Sequence, residues 1–164
     1  MPTRIRFPFG RCGGPAVESL FVGQHEHSLD AKGRIVLPAS FRSAFEPSGF
    51  LIKHSEGCLA LMTPDRFGEI AGRMSERSQS GGPHGRAAKR SFGAGAARVL
   101  PDKQGRIAVP EELRRFAGLQ RECVVIGAID EVEIWDAGRW HEMNAQGESL
   151  LAAPESGIEA AEQA

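Results

Sequence analysis

The sequence predicts a mixed α+β unit, mostly β with short helices, assembled from two pseudo-repeated halves. Two observations carry this. Asp30-Ala31-Lys32-Gly33-Arg34-Ile35-Val36-Leu37-Pro38 returns 72 residues later as Asp102-Lys103-Gln104-Gly105-Arg106-Ile107-Ala108-Val109-Pro110, sharing the pattern D-x-x-G-R-I-x-φ-P with φ aliphatic. Short apolar stretches of strand length, turn residues and brief segments of helical spacing then follow in the same order in both halves.

The alignment extends in both directions. Gly23 matches Gly95, Phe41-Arg42 matches Leu113-Arg114, and Leu51-Ile52 matches Cys123-Val124. After a one-residue slip, Leu59-Ala60-Leu61-Met62 falls on Val132-Glu133-Ile134-Trp135, and Arg66-Phe67 on Arg139-Trp140. The expected organisation is an N-terminal extension over 1–19, disordered or a mis-assigned start, then a first half over 20–78. A linker over 79–91, a second half over 92–147 and a flexible acidic tail over 148–164 complete it. Ser78-Gln79-Ser80-Gly81-Gly82-Pro83 has the composition of a linker.

Each half begins with an extended stretch, 20–28 and 93–100. A tight turn follows, in which Asp30 or Asp102 accepts backbone N–H bonds and Gly33 or Gly105 takes a positive φ. Strands come next over 34–37 and 106–109. Pro38 and Pro110 suit the first position of a short helix. Phe41, Ala44 and Phe45 share one helical face, as do Leu113, Phe116 and Ala117. Glu111 and Glu112 in the first turn and Arg114 and Arg115 later agree with the helix dipole, and Gly118 stops that helix. Strands over 50–53 and 58–62 are mirrored by 123–126 and 131–135. A closing helix over 64–74 is mirrored by one capped by Asp136.

Net charge is −1, from 20 Lys+Arg and 21 Asp+Glu, but the charges are unevenly placed. Residues 142–164 hold five Glu and no Lys or Arg, whereas residues 83–115 hold eight Lys/Arg against three acids. A mildly basic body is compatible with a polyanionic partner and equally with a solvated mixed surface. No apolar run approaches the roughly 20 residues of a membrane helix, so no membrane partner is expected. The first 20 residues lack the apolar core of a secretory signal. The three cysteines, Cys12, Cys58 and Cys123, are widely spaced with no Cys-x-x-Cys, which fits a reducing cytoplasm.

No catalytic constellation stands out, and no enzyme, cofactor, metal or small-molecule substrate is expected. There is no phosphate-binding G-x-x-x-x-G-K-[ST] and no nucleophile elbow G-x-S-x-G. His25 and His27 alternate on one strand face without an evident third ligand, so they read as loop or packing histidines. Cys58 and Cys123 open strands and read as core residues. The chain has no Tyr and no interleaving of aromatic with basic residues, which disfavours a stacking platform for single strands.

The duplicated turn remains. It sets Lys32 and Arg34, then Lys103 and Arg106, at the tip and exit of two hairpins. Arginine can donate bidentately to guanine or phosphate, and a two-stranded ribbon fits a major groove about 12 Å wide. Equally, Arg34 and Arg106 can pair with Asp30 and Asp102 across the turn. The turn-forming residues are Asp30, Gly33, Asp102 and Gly105.

Phe21-Val22-Gly23-Gln24-His25-Glu26-His27-Ser28-Leu29-Asp30-Ala31-Lys32-Gly33-Arg34 resembles the opening of the MraZ family. The second motif Asp102 to Ile107, the run Gly118 to Gly127 and Val132-Glu133-Ile134-Trp135 resemble it too. The resemblance covers residues 20 to about 145. It implies a double-split β-barrel with swapped hairpins, related to AbrB and MazE and formed here by two halves of one chain. It further implies a DNA-binding transcription regulator, usually a repressor, of the bacterial division and cell-wall gene cluster. Such a protein would act in the cytoplasm at the nucleoid, as a ring-shaped homo-oligomer on short direct repeats in its own promoter. The resemblance matches Arg34 and Arg106 to the family's motif arginines and Lys32 to a basic neighbour; Lys103 joins them as an expected DNA-binding residue on its place in the second turn. Val22 departs from the family, which usually carries Arg there. An antitoxin-like interaction module of the same fold is the alternative, although the acidic tail is short of large apolar anchors.

Overall fold

A computed structural model of the chain describes residues 20–153. The expected extension over 1–19 and the end of the expected tail, 154–164, lie outside the described residues. In chain order the elements are β1 (Gln24–Ser28), β2 (Arg34–Val36), α1 (Ala39–Arg42) with a 3-10 turn (Ser43–Phe45), β3 (Gly49–Lys53), β4 (Leu59–Met62), α2 (Pro64–Ser80) and α3 (Gly82–Ala94). Then follow β5 (Ala97–Val99), β6 (Arg106–Ala108), α4 (Glu111–Phe116), β7 (Glu122–Gly127), β8 (Val132–Asp136) and α5 (Ala137–Ala152).

Six strands form one antiparallel sheet in the order β1-β7-β8-β4-β3-β5, and β2 pairs with β6 in a separate ribbon. The order reads as two equivalent triplets meeting at the β4–β8 seam. In each triplet the outer strand comes from the other half. β1 pairs with β7, Gln24 opposite Ile126, and β5 pairs with β3, Gly49 opposite Val99. Each half therefore satisfies its leading strand's backbone on the other half, which is why two copies of the pattern make one unit. The mixed α+β class is as expected. The described strands make an open sheet and a separate ribbon, and no closed barrel is present among the described residues.

The main core lies between the ribbon and one face of the sheet. Ile35 and Ile107 face each other at the ribbon's centre and are wholly buried, as are Leu51, Leu59, Leu61, Val125, Val132 and Ile134 from the sheet. Phe41, Phe45 and Leu113 close the core from the short helices. The opposite face carries two smaller clusters. One sets Cys58, Val124, Ile126 and Trp135 under Trp140 and Met143 of α5, and the other sets Ile52, Ala60 and Met62 under Phe67 and Ile70 of α2. Because both faces are covered, β4 is buried at every position rather than at alternate ones.

Several boundaries differ from those the sequence suggests. Pro38 and Pro110 cap their helices from outside, each one residue before the first helical position. The closing helix of the first half runs on to Ser80, and most of the segment joining the halves is the helix α3. Two glycines allow close approach at the α2–α3 corner: a Cβ on Gly81, which caps α3, or on Gly85 within it would come within 2.7 or 2.8 Å of the Arg77 carbonyl oxygen. Phe67 stacks between Phe50 and Phe92, with ring centroids 4.2 and 5.5 Å away, and so ties both helices to the sheet. At the other end, α5 continues to Ala152, so residues 148–152 are helical. Asp136 caps it by accepting from the N–H groups of Gly138 and Arg139.

Gly33 and Gly105 have φ of 72° and 74°, and a side chain at either would collide with an arginine of the opposite half. Gly105→Ala should therefore lower unfolding free energy by about 2 kcal/mol. Gly147→Ala, on α5 with open space around it, should raise it by roughly 0.5 kcal/mol. Urea denaturation of the two variants checks both signs.

Candidate nucleic-acid interface

Both D-x-x-G turns are built by the same hydrogen bonds. Asp30 Oδ1 accepts from the backbone N–H groups of Lys32 and Arg34, each at 2.9 Å. Asp102 Oδ1 accepts from those of Gln104 and Arg106, also at 2.9 Å. Gly33 N donates to the Asp30 carbonyl at 3.0 Å and Gly105 N to that of Asp102 at 2.9 Å. The other carboxylate oxygen takes the arginine Nε, at 2.7 Å in both copies. The pairing that the Asp-to-Arg spacing allows is thus formed twice. These bonds hold both carboxyls below the usual range, Asp102 at about 2, the backbone N–H of Arg34 or Arg106 being the largest cause.

The ribbon register decides what the turns present. Arg34 lies opposite Ala108 and Arg106 opposite Val36. With Ile35 and Ile107 pointing into the core, period-two alternation puts both arginines on the outward face. Their Cα atoms are separated by roughly 8 Å, two residues along and one strand across. Leu37 N donates to Gly105 O and Val109 N to Gly33 O, so each turn is fastened to the end of the other half's strand. The turns consequently sit at opposite ends of the ribbon. Exposed Lys32 and Lys103 lie in these turns, at the third and second positions respectively.

Sequence reasoning assigns no role at the turns to Arg42 and Arg114, although their places match in the repeat. Arg114 of α4 lies behind the first turn, where a Cβ on Gly33 would come 2.5 Å from its Nη1. Arg42 of α1 lies behind the second turn, against Gly105, and its Nε donates to Leu37 O at 2.9 Å. Each turn rests on an arginine of the opposite half. Beside the first turn an open cleft of about 920 Å³ is lined by Asp30, Ala31, Arg114, Arg115, Gln120 and Arg121.

The remaining candidates go elsewhere. His25 and His27 share a half-buried face of β1, with the His25 ring edge-on to Phe41 at 5.5 Å. Burial, then the charges of His25 and Arg42, lower the His27 pKa. Cys58 and Cys123 are buried, and burial raises both thiol pKa values, that of Cys123 to about 11, so neither is a poised nucleophile. Val22 is exposed just ahead of β1. No helix among the described residues is long and apolar enough to cross a membrane.

A family model described as "MraZ protein, putative antitoxin-like" matches residues 20–89 and again residues 92–159. The chain belongs to the MraZ family. Two matches on one chain correspond to the two halves of the sheet. Similar relatives include the transcriptional regulator MraZ of Mycobacterium ulcerans, 41% identical over 134 residues, 82% of this chain and 93% of the relative. That of Clavibacter michiganensis subsp. michiganensis is 41% identical over 133 residues, 81% and 92% of the two chains. That of Saccharopolyspora erythraea is 43% identical over 121 residues, 74% and 84%.

A carboxyl whose pKa is depressed on folding stabilises above its unfolded value, near 3.9, and loses that contribution as pH falls through its folded value. The Asp102 carboxyl carbon should therefore titrate by NMR with a midpoint near 2. In Arg106→Ala the midpoint should rise only part of the way, because the backbone N–H remains. An ordinary midpoint in the unsubstituted protein would contradict the turn geometry.

Proposed function

We propose that this MraZ-family chain is a sequence-specific, double-stranded-DNA-binding transcriptional regulator. The observation that carries it is the duplicated Asp-x-x-Gly-Arg turn, which sets two arginines on one outward face of a two-stranded ribbon. The names of its relatives as transcriptional regulators support the same reading. The Asp–Arg pairs are compatible with contact to DNA. Each occupies Nε, and among the described residues neither Arg34 nor Arg106 makes a protein hydrogen bond through Nη1 or Nη2. The aspartate orients the guanidinium, and the terminal nitrogens face a base edge or a phosphate. Lys32 and Lys103 supply phosphate contacts from the two ends of the ribbon.

The finer reading follows the family resemblance. The chain is a repressor of the division and cell-wall gene cluster, its own promoter included. It works as a ring-shaped homo-oligomer in which several subunits engage short direct repeats at once, gaining through effective concentration. The pairings β1–β7, β3–β5 and β2–β6 across the halves support a swapped-hairpin arrangement of the double-split barrel type.

Fluorescence anisotropy on a duplex from the chain's own upstream region, against a scrambled duplex, tests this. Arg34→Ala and Arg106→Ala should each cost about 1–3 kcal/mol on the upstream duplex while the oligomer persists. Unchanged affinity in both would remove the arginines from the interface. Lys32→Gln or Lys103→Gln should weaken both duplexes alike and lower the slope of log affinity against log salt by about 1.

A further inference from the structure

The outer face of the sheet carries polar groups that the ribbon and its turns do not use. They sit at the β4–β8 seam, where Ala60 lies opposite Glu133. On either side are the two apolar clusters under α5 and α2. Beside them lie the carboxylates of Glu131 and Glu133 and the ring of His54, next to the thiol of Cys58 at the edge of the α5 cluster. Carboxylates on such a face are costly unless something engages them. Glu133 Oε2 accepts the Trp135 indole N–H at 2.7 Å, and among the described residues Oε1 takes no hydrogen bond. Glu131 is 9% exposed, and His54 Nε2 lies 3.8 Å from its Oε1, beyond hydrogen-bond reach.

The donors converge. One ligand atom each from His54, Cys58 and Glu133 lies within 4.8 Å of the other two. Two ligands on a tetrahedral zinc are about 3.3–3.7 Å apart, given bonds of about 2.0–2.3 Å, so side-chain rotation of about 1–1.5 Å closes the set. We propose that His54, Cys58 and Glu133 form a site for a zinc-class divalent transition metal that staples the two halves at the seam, with solvent in the fourth position. Nitrogen, thiolate and carboxylate donors together suit zinc, cobalt or nickel, whereas calcium and magnesium ask for oxygen alone. The Cys58 proton leaves to solvent as the metal–sulfur bond forms.

The local structure holds the ligands in place. His54 and Cys58 flank the β3–β4 turn, which is closed by His54 N donating to Cys58 O at 3.0 Å and Gly57 N to His54 O at 2.9 Å. Arg139 of α5 clamps that turn, donating to Gly57 O at 2.8 Å and Glu56 O at 3.2 Å. The partly exposed His54 side chain gives the ion a way in. Glu133 comes from the second half, so one ion would join β4 to β8. The site occurs once per chain, since Cys58 aligns with Glu131 and has no cysteine counterpart in the second half.

The test uses the full, untagged chain after chelation, titrated with cobalt(II). A thiolate-to-cobalt charge-transfer band should saturate at one equivalent, and zinc should abolish it. Cys58→Ser should lose the band, whereas Cys12→Ser and Cys123→Ser should keep it. His54→Ala, on the hairpin, should fold as judged by circular dichroism yet bind at least tenfold more weakly, and zinc should raise its Tm less than that of the unsubstituted chain. Absence of the band, its survival in Cys58→Ser, or equal zinc stabilisation of His54→Ala and the unsubstituted chain would overturn the assignment.

Discussion

The antiparallel pairing of β2 with β6, centred on buried Ile35 and Ile107, is the contact on which the candidate interface depends. It joins the halves through three residue pairs and fixes both turns at once. Were the ribbon to slip by one residue, the isoleucines would face out and the arginines would enter the core. Burying Ile35 and Ile107 therefore determines where Arg34 and Arg106 point. The links from Leu37 N to Gly105 O and from Val109 N to Gly33 O extend the same constraint into the turns.

Within each turn one carboxylate serves two ends. Through Oδ1 it replaces backbone partners that a tight turn cannot supply, and through Oδ2 it orients an arginine. The arginine keeps its charge and its outer nitrogens while losing freedom of motion, which reduces the entropy cost of a later contact. Arg42 and Arg114 add a second support from behind. Because these supports come from the opposite half, neither turn is complete in a single repeat.

Much of this was legible in the residues. The repeat located both turns and the strands that leave them, and the spacing of Asp30 to Arg34 allowed the ion pair that forms. Strand exchange was not legible in periodicity, which says that a segment is a strand but not which strand it joins; only the family resemblance implied swapped hairpins. Gly81, Gly82 and Pro83 concealed α3: the composition that marks linkers also permits a tight helical corner with Pro in its first turn. The supporting roles of Arg42 and Arg114 were marked only by their aligned places, since their contacts span the two halves. The His54, Cys58 and Glu133 cluster joins residues 79 positions apart and has no repeat to announce it.

Hydrogen–deuterium exchange of the full chain with and without a duplex from its upstream region most directly tests the claim that the ribbon and its turns meet DNA. The account predicts slowed exchange in residues 30–36 and 102–108, with α2 and α3 unchanged. Tight binding with protection confined to α2, α3 or α5 would contradict it.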